Sequence, residues 1–286
     1  MRNKKLIALL IVVLLLVVIV VVCGATFLVR HVDAYSYYEN PQIELYDKNV
    51  IAASGIKNNS SMFFVDEAEV KQRVEQAYPE IGVVNVKRSF PDRVTINYVI
   101  YEKLYQFQNG NKYYQCYSSG KIGSESDSLL PGYFTVKPAG STSAAVGKYF
   151  QDNNGKDRWY VDKIIAFLRS KGMIDYQINE LIGFIDLRRA GYVYIRTNAG
   201  CSIEIHDNGG DFAAMLDRGF AVYAKTDPSF TDVVKVHGLI KVYPNLSDGA
   251  GDPIRCVYLK HNAAQDGDSV YTDDGYYARH YDTVEN

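Results

Sequence analysis

The first thirty residues constrain this chain more than any other segment. Three cations, Arg2, Lys4 and Lys5, lie among the first five residues, and no charged residue occurs from Leu6 to Val29. At about 1.5 Å per helical residue this apolar run would be roughly 36 Å long, more than a bilayer core of about 30 Å. A cleaved signal peptide normally has a shorter apolar region of roughly 7–15 residues. We therefore predict an uncleaved transmembrane helix over residues 6–29.

The charges beside the apolar run predict its orientation. Lys and Arg next to a span usually remain in the cytoplasm. Residues 1–5 are then a cytoplasmic tail, and the bulk of the chain lies outside the cell membrane, which is a single-pass type II topology.

Composition argues against nucleic-acid and metal partners. The 286 residues suffice for more than one domain, and 31 Lys plus Arg against 33 Asp plus Glu leave a net charge of -2. Nucleic-acid binding needs concentrated positive charge, which this balance does not suggest. Cys116, Cys201 and Cys256 lack the spacing of zinc ligands. We expect no cofactor and predict half-buried strand cysteines, although one disulfide among them is also compatible with the sequence.

The segment after the span predicts a strand and a short helix. Residues 30–40 lack a strong period and are interpreted as a linker. An alternating strand is predicted for Gln42–Tyr46, and a brief helix for Lys48–Ser54 that ends at Gly55.

A second helix is predicted from its capping residue. Asp66 has the spacing of an N-cap, and Pro79 stops the helix because the residue before a proline avoids the α region. The residues expected on its buried face are Val70, Val74, Ala77 and Tyr78. The preceding loop is expected to tuck Phe63 and Phe64 inward.

Two alternating segments then predict an antiparallel hairpin with its turn at Pro91-Asp92. In the second strand one face carries Val94, Ile96, Tyr98 and Ile100. In the first strand one parity carries Val84, Val86 and Phe90.

The rest of the chain predicts a β-rich domain with two helices. The predicted elements are a hairpin with an Asn-Gly turn after Lys103, a mostly loop segment Ser124–Asn154, a helix Asp157–Lys171, three short strands between residues 181 and 207, a helix capped by Asp211 and two final strands. Residues 261–286 are acidic and aperiodic, so they are predicted to be a disordered tail.

Motifs in the first extracytoplasmic segment resemble the POTRA domain of the FtsQ/DivIB cell-division family. They are Ser54-Gly55-Ile56, Phe64-Val65-Asp66, Tyr78-Pro79-Glu80-Ile81, the run Val84–Ile96 and Tyr101-Glu102-Lys103. The resemblance implies a β-α-α-β-β POTRA domain over residues 41–105 and a β-rich FtsQ/DivIB-like domain over residues 106–260. The predicted fold class is therefore α+β with a single N-terminal span.

The family resemblance implies a non-catalytic scaffold at the division septum. Its β-rich domain would bind small bitopic coiled-coil proteins of the FtsB (DivIC) and FtsL type. From the residues alone, a partner strand could add to an exposed sheet edge. The candidate edge is the last strand, from Ile254 to Lys260, with anchors at Val257, Tyr258 and Leu259.

Other candidate partner residues are less distinctive. Tyr243 lies on the strand before the candidate edge, and Arg88 and Arg93 flank the POTRA hairpin turn. The alternative readings are that Val257 and Leu259 belong to the core and that both arginines occupy a solvated hairpin end.

Two other function classes are weighed against the scaffold. Catalysis would need groups such as His206, Asp207, Asp211 and Asp186 to converge, and no nucleophile, zinc or phosphate-loop motif is present. A membrane-anchored module that binds cell-wall carbohydrate or peptidoglycan would gather tyrosines on one face, for which Tyr113, Tyr114 and Tyr117 come nearest.

Overall fold

The chain divides into two compact units, Met1–Tyr101 and Glu102–Asn286, which are described separately. A computed structural model describes residues 10–18, 21–22, 26–37, 43–140, 142–152, 155–207, 209–225 and 238–244, and the backbone of 254–261 and 281–283. The predicted tail 1–5 lies outside the described residues, as do parts of the predicted span. Residues 10–18 are helical, and within the described part of the chain no helix is both long and apolar enough to cross a membrane.

The first unit is a three-stranded sheet with two helices. Its elements are β1 (His31–Ser36), α1 (Ile43–Ser54), a 3-10 turn (Met62–Phe64), α2 (Glu67–Ala77), β2 (Ile81–Ser89) and β3 (Arg93–Ile100). The strand order is β1-β3-β2, with β1 parallel and β2 antiparallel to the central β3. This is the β-α-α-β-β order that the resemblance implied.

The first strand of this order is not the predicted one. Residues 31–36, interpreted as linker, form β1, in which Ala34 is buried and pairs with Ile96. The prediction was wrong because the apolar alternation in residues 31–36 is short and because their pairing partner, β3, lies about sixty residues further along the chain. Gln42–Tyr46 was predicted as a strand, but Ile43 already begins α1, where Tyr46 and Val50 lie one turn apart and pack on the core.

The helix signals in this unit are largely confirmed. Asp66 Oδ1 accepts a hydrogen bond from Glu69 N at 3.1 Å, and Val70 and Val74 are buried. Gly55 ends α1 with φ at +69°. Ala77, predicted to be buried, is exposed.

The two strands of the hairpin differ in how well their predicted buried residues agree with the structure. On β3, Val94, Ile96 and Tyr98 are fully buried, as predicted. On β2 the predicted face is correct at Val86, which is buried, and wrong at Val84 and Phe90, which are exposed. A register shift between Val83 and Asn85 buries Val83 instead of its neighbour Val84. Such a bulge inverts the alternation beyond it.

The second unit is built on a ten-stranded sheet. Its strands are β4 (Lys103–Asn109), β5 (Lys112–Tyr117), β6 (Ile122–Ser126), β7 (Phe134–Lys137), β10 (Ile182–Asp186), β11 (Tyr192–Thr197), β12 (Ser202–His206), β13 (Leu239–Pro244), β14 (Ile254–His261) and β15 (Tyr281–Thr283). The order is β15-β14-β13-β12-β11-β10-β7-β4-β5-β6, and β8 (Thr142–Ser143) pairs separately with β9 (Gln151–Asp152).

Helices pack on the sheet through one core. They are α3 (Lys156–Ser170), α4 (Asp175–Leu181) and α5 (Phe212–Lys225). The core joins α3 through Val161 and Ile164 to strand residues such as Ile195 and Ile203. The α+β class is thereby confirmed, while the prediction of two helices is corrected to three within the described part of this unit. The short α4 buries only Ile178, so it leaves little periodic signal.

Three boundaries differ from prediction in the second unit. The expected loop Ser124–Asn154 contains β7, a central strand whose short Phe-x-Val alternation lies among Gly and Pro residues. Residues 102–105, assigned to the POTRA domain, belong to this unit because β4 already begins at Lys103. The tail 261–286, predicted to be disordered, includes β15, which pairs with β14.

Candidate partner-binding edge

The C-terminal strands of the second unit form a partly open sheet edge. β14 pairs with β13 from Ile254 to Leu259, and the register places Tyr243 opposite Arg255, and Lys241 opposite Val257. On its other side β15 pairs only with Leu259, Lys260 and His261. Among the described residues, 254–258 therefore have no strand on their outer side. β14 is thus not the terminal strand that the sequence predicted, but most of it remains an edge.

The strands β12 and β13, which precede this edge in the sheet, pack closely against α5. Ile240 and Val242 of β13 are buried in the core. A Cβ atom built on Gly219 of α5 would lie 2.9 Å from Ile203 Cγ2 and 3.1 Å from Val242 Cγ2, closer than ordinary contact. Only a glycine therefore lets the helix approach β12 and β13 so closely, and the edge is supported by a tightly packed layer.

Tyr243 belongs to a row of rings that crosses three strands. The His206 ring on β12 lies 4.4 Å from the Tyr192 ring on β11 and 5.5 Å from the Tyr243 ring on β13, between centroids. The buried carboxylate of Glu204 lies 2.6 Å from His206 Nε2 and 3.8 Å from Arg189 Nη1. The predicted partner residue Tyr243 is thus fixed in orientation beside the edge.

The side chains considered for catalysis have structural partners. His206 contacts Glu204 as described above. Asp211 Oδ1 caps α5, accepting from Ala213 N at 3.0 Å and Ala214 N at 3.2 Å. The buried Asp186 carboxylate binds the Arg188 guanidinium, with Oδ2 and Nη2 2.7 Å apart. Each group therefore has a role in the fold.

Asp207 is held in a separate charged cluster with α3. Lys156 Nζ lies 3.1 Å from Asp207 Oδ2, and the Tyr160 hydroxyl donates to the same carboxylate. Burial favours a higher pKa for Asp207, but the hydrogen bonds from Tyr160 and Lys156 outweigh it and lower that pKa. This cluster stabilises the ionised carboxylate. No group of three metal-ligating side chains occurs within the described ranges.

Two of the predicted strand cysteines belong to the core of the second unit. Burial raises the pKa of the Cys116 thiol, and both Cys116 and Cys201 lie in the hydrophobic core. They are fully buried rather than half-buried. The Cys256 side chain lies outside the described residues.

The two candidate arginines of the β2-β3 hairpin do not form one patch. Arg88 pairs with Val94 and Arg93 pairs with Ser89, so they occupy consecutive positions whose side chains leave opposite faces of the sheet. Arg93 Nη1 lies 3.0 Å from Asp33 Oδ2 on β1, which gives it a structural role. Arg88 is exposed.

Sequence reasoning missed a pair of glutamates that bind the backbone at one edge of the first unit's sheet. Val83 N donates to Glu75 Oε1 at 3.0 Å, and Val86 N donates to Glu67 Oε1 at 3.1 Å. Both glutamates lie on α2, eight residues apart, which places them near one face of the helix. That spacing before a Val-rich strand was the available signal. Two backbone donors of β2, those of Val83 and Val86, are thereby already satisfied.

The second unit also contains a groove of about 760 Å³. Its lining includes Tyr113, Tyr133, Gln108, Asn109 and Phe184. The buried Gln106 side chain fixes one wall, because its amide accepts from Leu130 N at 3.0 Å and donates to Leu130 O at 2.6 Å. Tyr114, one of the three tyrosines considered for sugar binding, instead packs on the core.

The fold of the first unit defines a small α+β module whose two helices cover one sheet. A family model described as "POTRA domain, FtsQ-type" matches residues 42–98. Residues 42–98 are therefore a POTRA domain of the FtsQ type. The resemblance to FtsQ/DivIB proteins is confirmed over that segment. No curated protein matches the chain.

Proposed function

We propose that this chain is a non-catalytic scaffold of the bacterial division machinery that docks other membrane-anchored division proteins at the septum. The observation that supports it most is the FtsQ-type POTRA domain, a domain associated with protein–protein contacts in division complexes. POTRA domains of this type are non-catalytic folds. The scaffold would position septal wall synthesis through binding alone.

The proposed scaffold is anchored by residues 6–29 as a single-pass type II protein of the cell membrane. In the described part of this run, the side chains of the helical residues 10–18 are between 49% and 65% exposed although all are apolar. A contiguous apolar surface of this kind fits contact with lipid. The basic residues of the N-terminal tail favour a cytoplasmic location for it.

Docking is proposed to occur by strand addition to the C-terminal edge. The FtsB/DivIC-like and FtsL-like partners would pair with the backbone of residues 254–258, where the sheet has no described neighbour. Val257, Tyr258 and Leu259 are the proposed anchors, with Tyr243 beside them on β13. Main-chain hydrogen bonds would supply affinity and alternate side chains specificity. Arg88 and Arg93 remain proposed contacts for recruitment through the POTRA domain.

The localisation is tested by imaging a fluorescently tagged full-length chain in dividing cells. The proposal predicts enrichment at the division plane and recovery of small bitopic coiled-coil proteins when the tagged chain is purified from crosslinked cells. A Tyr176→Ala chain, altered at an exposed position on α4, is the matched control and should localise like the parent. Uniform membrane fluorescence would contradict the assignment.

The groove favours a second candidate function, a module that binds cell-wall carbohydrate. Tyr113, Tyr133, Gln108 and Asn109 combine aromatic faces with amide groups in one concave surface, the combination that small polar ligands require. Retention of the full chain on purified cell wall, lost in a Tyr133→Ala chain, would favour this function over the scaffold. The scaffold proposal predicts no retention.

A further inference from the structure

Three phenylalanines from separate parts of the first unit meet at one surface. The Phe27 ring centroid lies 5.5 Å from that of Phe63 and 5.4 Å from that of Phe90, and those two are 5.8 Å apart. Both contacts of Phe27 are edge-to-face, the geometry that aromatic pairs prefer. The cluster is therefore an ordered patch.

This patch is exposed although it consists of large apolar rings. Phe63 is 54% exposed, Phe90 is 55% exposed, and the neighbouring Phe64 is 86% exposed. The sequence had predicted Phe63 and Phe64 to point inward, and that prediction is wrong. Exposed apolar rings that pack on each other indicate a surface that binds an apolar partner or a membrane. We call Phe27, Phe63, Phe64 and Phe90 the phenylalanine patch.

The patch is tied to the chain where the apolar run ends. Met62 N donates to Phe27 O at 3.0 Å, and Val29 N donates to Ser60 O at 2.8 Å. Leu28 and Ser61 form a bridge between the same two segments. Phe63 and Phe64 therefore lie beside the last residues of the run from Leu6 to Val29. The backbone bonds fix their position relative to the end of that run.

We propose that the phenylalanine patch inserts into the outer interface of the bilayer that the apolar run crosses. The proposal rests on the membrane anchor of the proposed function. Val29, the last residue of the predicted span, is buried in the core of the first unit, so the span would end near Phe27 and bring this ring to the membrane surface. The backbone bonds would carry Phe63 and Phe64 to the same depth. Apolar rings in this position bury themselves at the boundary of headgroups and acyl chains. The patch would thus orient the POTRA domain on the membrane.

The charges next to the patch fit a phosphate-bearing surface. Arg30 and Lys57 are exposed. Arg30 lies on the segment that holds Phe27, and Lys57 lies on the segment that holds Phe63. Two acids near the patch in sequence have partners of their own, since Asp66 Oδ1 accepts from Glu69 N at 3.1 Å and Asp92 Oδ2 lies 4.0 Å from His31 Nε2. Cations beside inserted apolar side chains are attracted to anionic headgroups.

The test measures depth by tryptophan quenching in the full-length chain. The sequence has one tryptophan, so a Trp159→Phe chain provides a background without it. Phe63→Trp and Phe64→Trp are introduced separately, and the chains are reconstituted into phosphatidylethanolamine–phosphatidylglycerol vesicles with brominated acyl chains. Quenched, blue-shifted emission is expected from both.

Two control positions make the outcome decisive. Leu14→Trp reports the apolar run, and Tyr37→Trp reports an exposed aromatic at the far end of β1, roughly 20 Å along the strand at about 3.3 Å per residue. Quenching at Leu14→Trp, Phe63→Trp and Phe64→Trp but not at Tyr37→Trp supports the patch. Quenching at Leu14→Trp alone overturns the patch and leaves the anchor standing, whereas quenching at none of them overturns both.

Two further outcomes also reject the patch. Blue-shifted emission at Phe64→Trp without quenching would show that protein, such as a second copy, covers it. Equal quenching at Tyr37→Trp would show that the domain lies on the lipid without a preferred surface. Septal imaging is independent of all these results, so a failure of the patch is distinguishable from a failure of the division role.

Discussion

The strands β2 and β14 differ in whether their outward backbone groups are already bound. In the POTRA unit, the backbone donors of Val83 and Val86 on the edge strand β2 are bound by Glu75 and Glu67, and a bulge interrupts the strand. In the second unit, residues 254–258 of β14 have no neighbouring strand on their outer side within the described backbone. Natural proteins usually block sheet edges to prevent unwanted pairing. Residues 254–258 of β14 therefore offer backbone groups to a partner strand, whereas two such groups of β2 are already bound.

This difference gives the two units different means of contact. Where glutamates bind the backbone of β2, a partner can bind through side chains, as the exposed Arg88 would do. An open edge can meet a partner through its backbone, which tolerates variation in the partner's sequence. Each prediction below alters one side of this comparison.

The largest effect is expected at Gly219, which lets α5 support the open edge. In a Gly219→Leu chain the new side chain would force α5 away from Ile203 and Val242, so we expect a loss of about 2–3 kcal/mol in the unfolding free energy of the second unit. Trp159 lies 5.4 Å from Phe212 of α5 between ring centroids, so its fluorescence during denaturation reports this unit. Ala213→Leu, at an exposed position on the same helix, is the control. Equal stability of the two variants would refute the close packing.

The next effect concerns the closed edge. A Glu67→Ala/Glu75→Ala chain leaves two backbone donors without acceptors, so we expect a loss of about 2 kcal/mol in the stability of the POTRA unit. Because the edge is then open, the variant should also self-associate as its concentration rises, as measured by sedimentation in detergent. Glu69→Ala removes only the exposed pair with Arg73 and should remain monodisperse. A monodisperse double variant of parental stability would show that the glutamates do not close the edge.

A smaller effect is expected from the buried Tyr98. Its hydroxyl donates to Asp47 Oδ1 at 2.7 Å, and burial together with this hydrogen bond raises the pKa of Tyr98. A Tyr98→Phe chain should lose about 1 kcal/mol of stability at neutral pH.

The same tyrosine predicts a pH dependence. Because the folded pKa exceeds the unfolded value of about 10, its contribution is complete below that pH and is lost as pH rises above it. Amide exchange of β3, followed from pH 8 upward, should therefore accelerate more above pH 10 in the parent than in Tyr98→Phe. The exposed Tyr35→Phe control should follow the parent. Identical profiles for all three chains would contradict the assignment.

The smallest effect is expected for Arg93. Its pair with Asp33 joins β1 to β3 but is partly solvated, with side chains 51% and 32% exposed. A double-mutant cycle of Arg93→Ala and Asp33→Ala should give a coupling energy of about 0–1 kcal/mol. A larger coupling energy would mean that this pair, more than the strand pairing, holds β1 in the sheet.

Local signals in the sequence predicted the helices and the alternating strands best. Asp66, Gly55 and Asp211 are capping or terminating residues whose effect depends only on their neighbours, and each occupies the predicted position. The face of β3 is equally local, because its alternation continues without a bulge. These parts of the fold follow from backbone chemistry within a few residues.

Pairing over long distances could not be predicted in the same way. β1 was taken for a linker and β7 for a loop, since each is short and becomes a strand only through neighbours elsewhere in the chain. The bulge at Val84 buries Val83 instead of Val84. For the candidate site, the sequence identified β14 as a strand near an edge, but not that β15 pairs with part of it or that glutamates of α2 close the POTRA edge.

The most direct test of the account is to compare the two edges by site-specific photo-crosslinking in dividing cells. A photoreactive phenylalanine analogue replaces Tyr258 on β14 in one full-length chain and Val84, the exposed bulge residue of β2, in another. The account predicts crosslinks to a small bitopic division protein from position 258 and none to such a partner from position 84. Crosslinks from position 84 with none from position 258 would contradict it.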